Sequence, residues 1–174
     1  MKKITLAVAV TLLLSAFTVY KAVNWKIANG YSIKFTSSDP SGTFTSFKGD
    51  IAFDENSLET SKFDVTIDVA SINTGNGMKN NKALNADWFD ATKYPTIKFV
   101  SSKITKTAKG YEAAGTLEMH GVKKPLTIPF TFSNNTFTGS FDINRSDYGV
   151  GATTGPAGHA ATVLKVDVSV PVTK

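Results

Sequence analysis

The sequence predicts an all-β fold: a closed, eight-stranded, antiparallel up-and-down barrel with a short helical lid segment near residues 78–90. Three observations carry that expectation. Apolar residues recur at every second position in segment after segment from Asn24 onward, which marks strands with one wet and one dry face. Turn-forming clusters separate the segments, so neighbours in sequence become neighbours in space. One stretch only, Thr74 to Pro95, departs from the period of two.

The N-terminus comes before any of this. Met1-Lys2-Lys3 precedes sixteen uncharged residues, Ile4 to Val19, the charged and apolar regions of a secretory leader. The run is shorter than the roughly 18 residues of a spanning helix. Residues 1–18 are therefore read as a signal peptide, with an uncleaved anchor as the alternative, and residues 24–174 as the domain. Export would place that domain in the periplasm or outside the cell. With no cysteine in the chain, its stability there must come from packing rather than disulfides.

The formal charge of +5 falls to +3 once Lys2 and Lys3 leave with the leader. Eighteen of the nineteen basic residues are lysine, with no run longer than Lys123-Lys124. A nucleic-acid reader clusters its cations and favours arginine, so no nucleic-acid partner is expected.

Along the chain, Tyr31, Ile33 and Phe35 share one parity, then Phe47, Gly49, Ile51 and Phe53, then Phe63, Val65, Ile67 and Val69. A strand from Thr96 to Ser101 carries Phe99. The second half gives Tyr111 to Met119, Leu126 to Phe132, Phe137 to Ile143 and Leu164 to Val172, each with alternate residues apolar. Between them stand Asp39-Pro40-Ser41-Gly42, Asp54-Glu55-Asn56-Ser57, Lys109-Gly110, His120-Gly121 and Ser133-Asn134-Asn135. About eight such strands can close into a barrel and so hide their edges; a two-sheet sandwich is the structural alternative. Gly49, Gly115 and Gly139 fall on the inward parity in mid-strand. They either leave lumen volume or let strands bend at barrel corners.

In the irregular stretch Gly75 and Gly77 come first, Met78 to Ala86 is predicted as two helical turns, and Pro95 ends anything helical. Long connections in a compact barrel tend to be lids or binding loops. Trp88 and Phe89 are predicted to cap the lumen, and Tyr94 and Pro95 to fix the approach to the next strand. A structural plug that no ligand touches is the alternative for these rings.

Catalytic chemistry finds no support. His120 and His159 sit in separate turns without cysteine or HxxxH-type partners, so no metal site is expected. No G-x-S-x-G, carboxylate pair or glycine-rich phosphate loop is present, and the chain is read as a binding protein without catalytic residues or cofactor. The residues predicted to line the lumen are Phe35, Phe47, Ile51, Phe63, Val65, Ile67, Phe99, Leu117, Met119, Ile128, Phe130, Phe141 and Ile143, with Trp88 and Phe89 at its mouth. Arg145, the sole arginine, is either a clamp on a carboxylate or carbonyls or a contact for a phosphate; Lys79 and Lys82 are further head-group candidates on the lid.

"SINTGN" (Ser71 to Asn76), "WFDATKYPTIKFVSS" (Trp88 to Ser102), "GTLEMHGVKKP" (Gly115 to Pro125) and "INRSDYGVG" (Ile143 to Gly151) resemble, in order and spacing, the motifs of the YceI-like family. The resemblance runs from about Trp25 to the C-terminus. It implies a lipocalin-like barrel exported to the bacterial periplasm, whose apolar lumen binds isoprenoid quinones or isoprenyl phosphates. A fatty-acid carrier and a ligand-free structural or stress-response protein are the rival readings. Many family members carry a histidine near the first strand and an Arg-Asp-x-His-Leu stretch after the S-I-x-T-G-x motif. Here those places read Asn29-Gly30-Tyr31-Ser32 and Asn80-Asn81-Lys82-Ala83-Leu84, which implies a different head-group preference or an uncharged ligand.

Overall fold

Each segment with a period of two becomes strand. The computed structural model describes residues 21–151 and 160–174; the expected leader, residues 1–18, lies outside them. The strands are β1 (Val23–Ile27), β2 (Ser32–Thr36), β3 (Gly42–Phe44), β4 (Phe47–Phe53), β5 (Lys62–Asp68), β6 (Ile72–Asn73), β7 (Thr96–Thr107), β8 (Gly110–Met119), β9 (Val122–Ser133), β10 (Thr136–Asn144) and β11 (Val163–Thr173). A single helix, α1 (Gly77–Leu84), lies among the described residues between β6 and β7.

These strands form the eight staves of a closed barrel, because three staves are each broken in two. Both β1 and β2 run antiparallel to β11, with Lys26 opposite Thr173 and Thr36 opposite Lys165. In the same way β3 and β4 face β2 and β1, and the stave of β5 and β6 is interrupted by a 3₁₀ turn at Val69–Ser71. From β7 on every strand pairs antiparallel with the next, and β11 returns to the first stave. The breaks adjoin one another. There the Tyr31 hydroxyl donates to the Thr45 carbonyl (2.8 Å) and accepts from the Phe47 amide (3.2 Å), while the Thr45 amide reaches the Ser71 carbonyl (3.1 Å).

Two-residue turns connect β7 to β8, β8 to β9 and β9 to β10. His120 and Gly121 both have positive φ (53° and 75°), as do Asn134 and Asn135 (50° and 55°), the geometry that matches the twist of a hairpin. One strand exceeds its sequence expectation: β7 continues to Thr107 rather than stopping at Ser101. A bulge between Ser101 and Lys103 shifts its parity, so Ile97, Phe99 and Ser101 point inward and then Ile104 does.

The mid-strand glycines serve strand approach. A Cβ on Gly115, opposite the bulge, would lie 2.3 Å from the Val100 carbonyl oxygen; one on Gly49 would lie 2.1 Å from that of Asp64. Gly139 is pressed similarly against the Pro129 carbonyl. None of the three borders the internal cavity described below. Of the two roles expected for them, bending at the corners is the one this geometry supports.

Candidate functional site

The barrel interior divides along its axis. At the end reached by the C-terminus of β4, Phe53 is 1% exposed and surrounded by the rings of Tyr111, Phe130, Phe132 and Phe137 at 5.2–5.6 Å, with Phe63 at 6.3 Å. Trp25 closes that end, its indole N–H donating to the Phe53 carbonyl (2.9 Å) and its ring edge-on to Phe132. The Tyr111 hydroxyl donates to Glu55 (2.5 Å), and this bond, with burial, pushes its pKa up to about 12.

At the opposite end the interior holds a cavity of about 380 Å³. The C-terminal half of β8 supplies Leu117 and Met119, β10 supplies Phe141 and Ile143, and β11 supplies Leu164 and Val166. Ile33 and Phe35 come from β2, Ile67 from β5 and Ile97 from β7. Over this end lies the irregular stretch. The Asn76 side chain caps α1 by accepting from the Met78 and Lys79 amides, which are left without partners by the start of a helix. After α1 the chain folds back on itself, the Phe89 amide donating to the Ala83 carbonyl (3.0 Å) and that of Asp90 to Asn85 (2.9 Å). Those turns carry Ala83, Trp88 and Phe89 onto the cavity.

Two further contacts fix the lid. Tyr94 packs edge-on against His120 (4.7 Å between rings), whose Nδ1 lies 3.1 Å from the Tyr148 carbonyl oxygen. The Val69 amide donates to the Pro95 carbonyl (2.9 Å), which joins the end of the lid to the broken third stave.

Of the predicted lumen residues, the structure brings Phe35, Ile67, Trp88, Phe89, Leu117, Met119, Phe141 and Ile143 to the cavity. Phe47, Ile51, Phe63, Val65, Phe99, Ile128 and Phe130 do not border it; they pack within or against the hydrophobic core instead. The expectation of a lumen along the whole barrel is corrected on that point. Alternation assigns a residue to the inside but does not say whether rings from several strands meet at its level. The cavity also takes residues absent from the prediction. Ile33, Ile97, Leu164 and Val166 carried the inward parity of their rows, whereas Phe44 and Ile72 lie on strands too short to show a period. Ala83 stands within the stretch where many relatives have Arg-Asp-x-His-Leu, and there it presents a methyl group to the cavity.

Most charged groups at this end are engaged, while Lys34, which also lines the cavity, is exposed. Lys79 pairs with Asp39 (2.6 Å), both more than half exposed, and thereby ties α1 to the turn between β2 and β3. Lys82 pairs with Asp87, and that hydrogen bond holds the Asp87 carboxyl below the ordinary carboxylate range. Arg145 is 2% exposed in the turn after β10. It donates to the carbonyls of Val150 (2.6 Å), Ala161 (2.9 Å) and Ala160 (3.0 Å), and burial draws its pKa down. Its guanidinium also stacks on Trp88, 4.9 Å from the ring centre, a cation–π contact that anchors the lid to the wall. Arg145 thus clamps backbone carbonyls, one of the roles weighed for it.

Comparison with known proteins places this architecture. Residues 15–173 match the YceI-like domain. A UPF0312 protein of Pseudomonas putida is 33% identical over 160 residues, which is 85% of this chain and 78% of that protein. The crystal structure of BcnA from Burkholderia cenocepacia superposes with a TM-score of 0.74 at 30% identity, covering 83% of this chain and 96% of that one. A polyisoprenoid binding domain from Saccharophagus degradans, implicated in plant cell wall breakdown, superposes with a TM-score of 0.60. That domain is 17% identical, covers 86% of this chain and 97% of its own, and shows a shared fold.

Proposed function

This chain belongs to the YceI-like family, and from that premise we propose that it is an exported, non-enzymatic carrier whose hollow end holds the tail of a long isoprenoid lipid. The observation that carries the reading is the apolar cavity of about 380 Å³ under a lid, within the roughly 300–1,000 Å³ range of small-molecule sites. Each methylene moved from water to such a wall contributes about 0.8 kcal/mol, less the cost of ordering a flexible chain. Affinity therefore rises with prenyl length until the cavity is full. The leader-like residues 1–18 support export, and mass measurement of the protein recovered from periplasmic extract checks it by the loss of that segment.

Organic extraction of the purified protein followed by mass spectrometry tests the ligand. A prenyl chain is the expected result. An acyl chain would transfer the same site to a fatty-acid carrier, and an empty protein that also fails to bind added prenols would end the carrier reading.

A further inference from the structure

Apart from Met1 the chain has two methionines, and both border the cavity. Met119 is 5% exposed, whereas Met78, in the first turn of α1, is 81% exposed. Among the described residues five exposed side chains border the cavity: Lys34, Asp39, Met78, Lys79 and Lys82. They mark where the chamber reaches solvent, beside α1 and the turn from β2 to β3. Four of the five are charged, so Met78 is the apolar one on that rim. It packs into neither cluster of the hydrophobic core, which leaves its flexible thioether able to lie over an apolar chain that reaches the mouth. The same exposure opens its sulfur to oxidants, and the chain has no cysteine to react in its place.

We infer that Met78 is a site of reversible oxidation, and that its sulfoxide loosens the hold of the hollow end on an apolar guest. The inference rests on the reading of that end as a lipid site. A sulfur lone pair attacks one oxygen of hydrogen peroxide; an S–O bond forms and the O–O bond breaks. The proton on the transferred oxygen passes to the departing hydroxide, which leaves as water. Sulfur gives up an electron pair and the peroxide gains it. The product carries a strong acceptor oxygen where the thioether had none, and covering an apolar tail would strip that oxygen of water. In the empty barrel the oxygen stays hydrated, so the cost falls on the loaded state alone. Met119, screened from solvent by the wall and the lid, keeps its thioether. Methionine sulfoxide reductases, with a dithiol as reductant, reverse the change.

The test treats the full-length mature protein with hydrogen peroxide, removes the oxidant, locates added oxygen by peptide mass spectrometry, and then measures geranylgeraniol affinity. Met78 is expected to gain oxygen about tenfold faster than Met119. Affinity should fall about threefold to tenfold with the melting temperature unchanged, and return after treatment with the two epimer-specific reductases. Met78→Leu keeps an apolar side chain and removes the sulfur, so its affinity should be the same before and after peroxide. Oxidation of Met119 as fast as Met78, undiminished affinity in the Met78 sulfoxide, or an equal peroxide effect in Met78→Leu would overturn the inference while leaving the lipid site intact. A lowered melting temperature would overturn it too, by making the loss one of folding. Failure of the untreated protein to bind geranylgeraniol would instead remove the lipid site and the inference together.

Discussion

At one end of the barrel Phe53 is enclosed by five other rings, and at the other Phe141 and Leu164 look into open space, yet both ends are built from the same alternating strands. The difference lies in which residues arrive at one level. Register brings Phe63 opposite Ile51 beside Phe53, Tyr111 opposite Phe130, and Phe132 opposite Phe137, so aromatic rings from β4, β5, β8, β9 and β10 meet around Phe53. Toward the lid the corresponding rows hold mostly Ile, Leu, Met and Val, and these, with Phe35 and Phe141, leave the centre open. The open space therefore follows from side-chain size and from the lid that covers it.

The widest test of that contrast is Phe53→Ala, which should cost about 3–5 kcal/mol in urea unfolding because it opens a void inside a filled core. Gly49→Ala should cost about 1–3 kcal/mol from backbone strain at φ 143°, with the collision against Asp64 in addition. The filled end also carries a pH signature. The Tyr111 hydroxyl stays protonated in the barrel up to about pH 12, whereas an unfolded tyrosine loses its proton near pH 10. The native state then holds the extra proton, so stability present below about pH 10 is lost as pH climbs toward 12, by about 1–2 kcal/mol after allowing for the exposure of Glu55. Tyr111→Phe should flatten that decline in alkaline unfolding curves.

At the hollow end the same kind of substitution should act on binding more than on folding. Phe141→Ala is expected to lower stability by only about 1 kcal/mol, since its ring already borders empty space, while weakening prenol binding about tenfold. A loss of stability at Phe141 equal to that at Phe53 would break the contrast. The smallest effect belongs to Lys79→Ala, about 0.2–1 kcal/mol and fading with added salt, because the Lys79–Asp39 pair is exposed.

Much of this was legible from the chain. The rows Tyr111 to Met119 and Leu126 to Phe132 foretold strands, faces and turns, because each is long and its alternation unbroken. The shortfalls have physical causes. Phe44 and Ile72 sit on fragments created by the stave breaks, and the bulge at Ser101 reversed the parity of β7. Nor does a period of two tell a packed level from an empty one: Phe130 and Phe141 look alike in sequence, and only cross-strand register separates them. The roles of Trp88 and Arg145 depended on a stacking partner far away in sequence.

The aligned breaks in the first three staves have a mechanical consequence. Where unbroken neighbours are riveted by regular ladder bonds, this line is stitched by the Tyr31 hydroxyl and a few isolated amide bonds. Stress on the wall is taken up first at such a weak line. With fewer ladder bonds to break, local opening of the wall should cost less along this line than among β7 to β11.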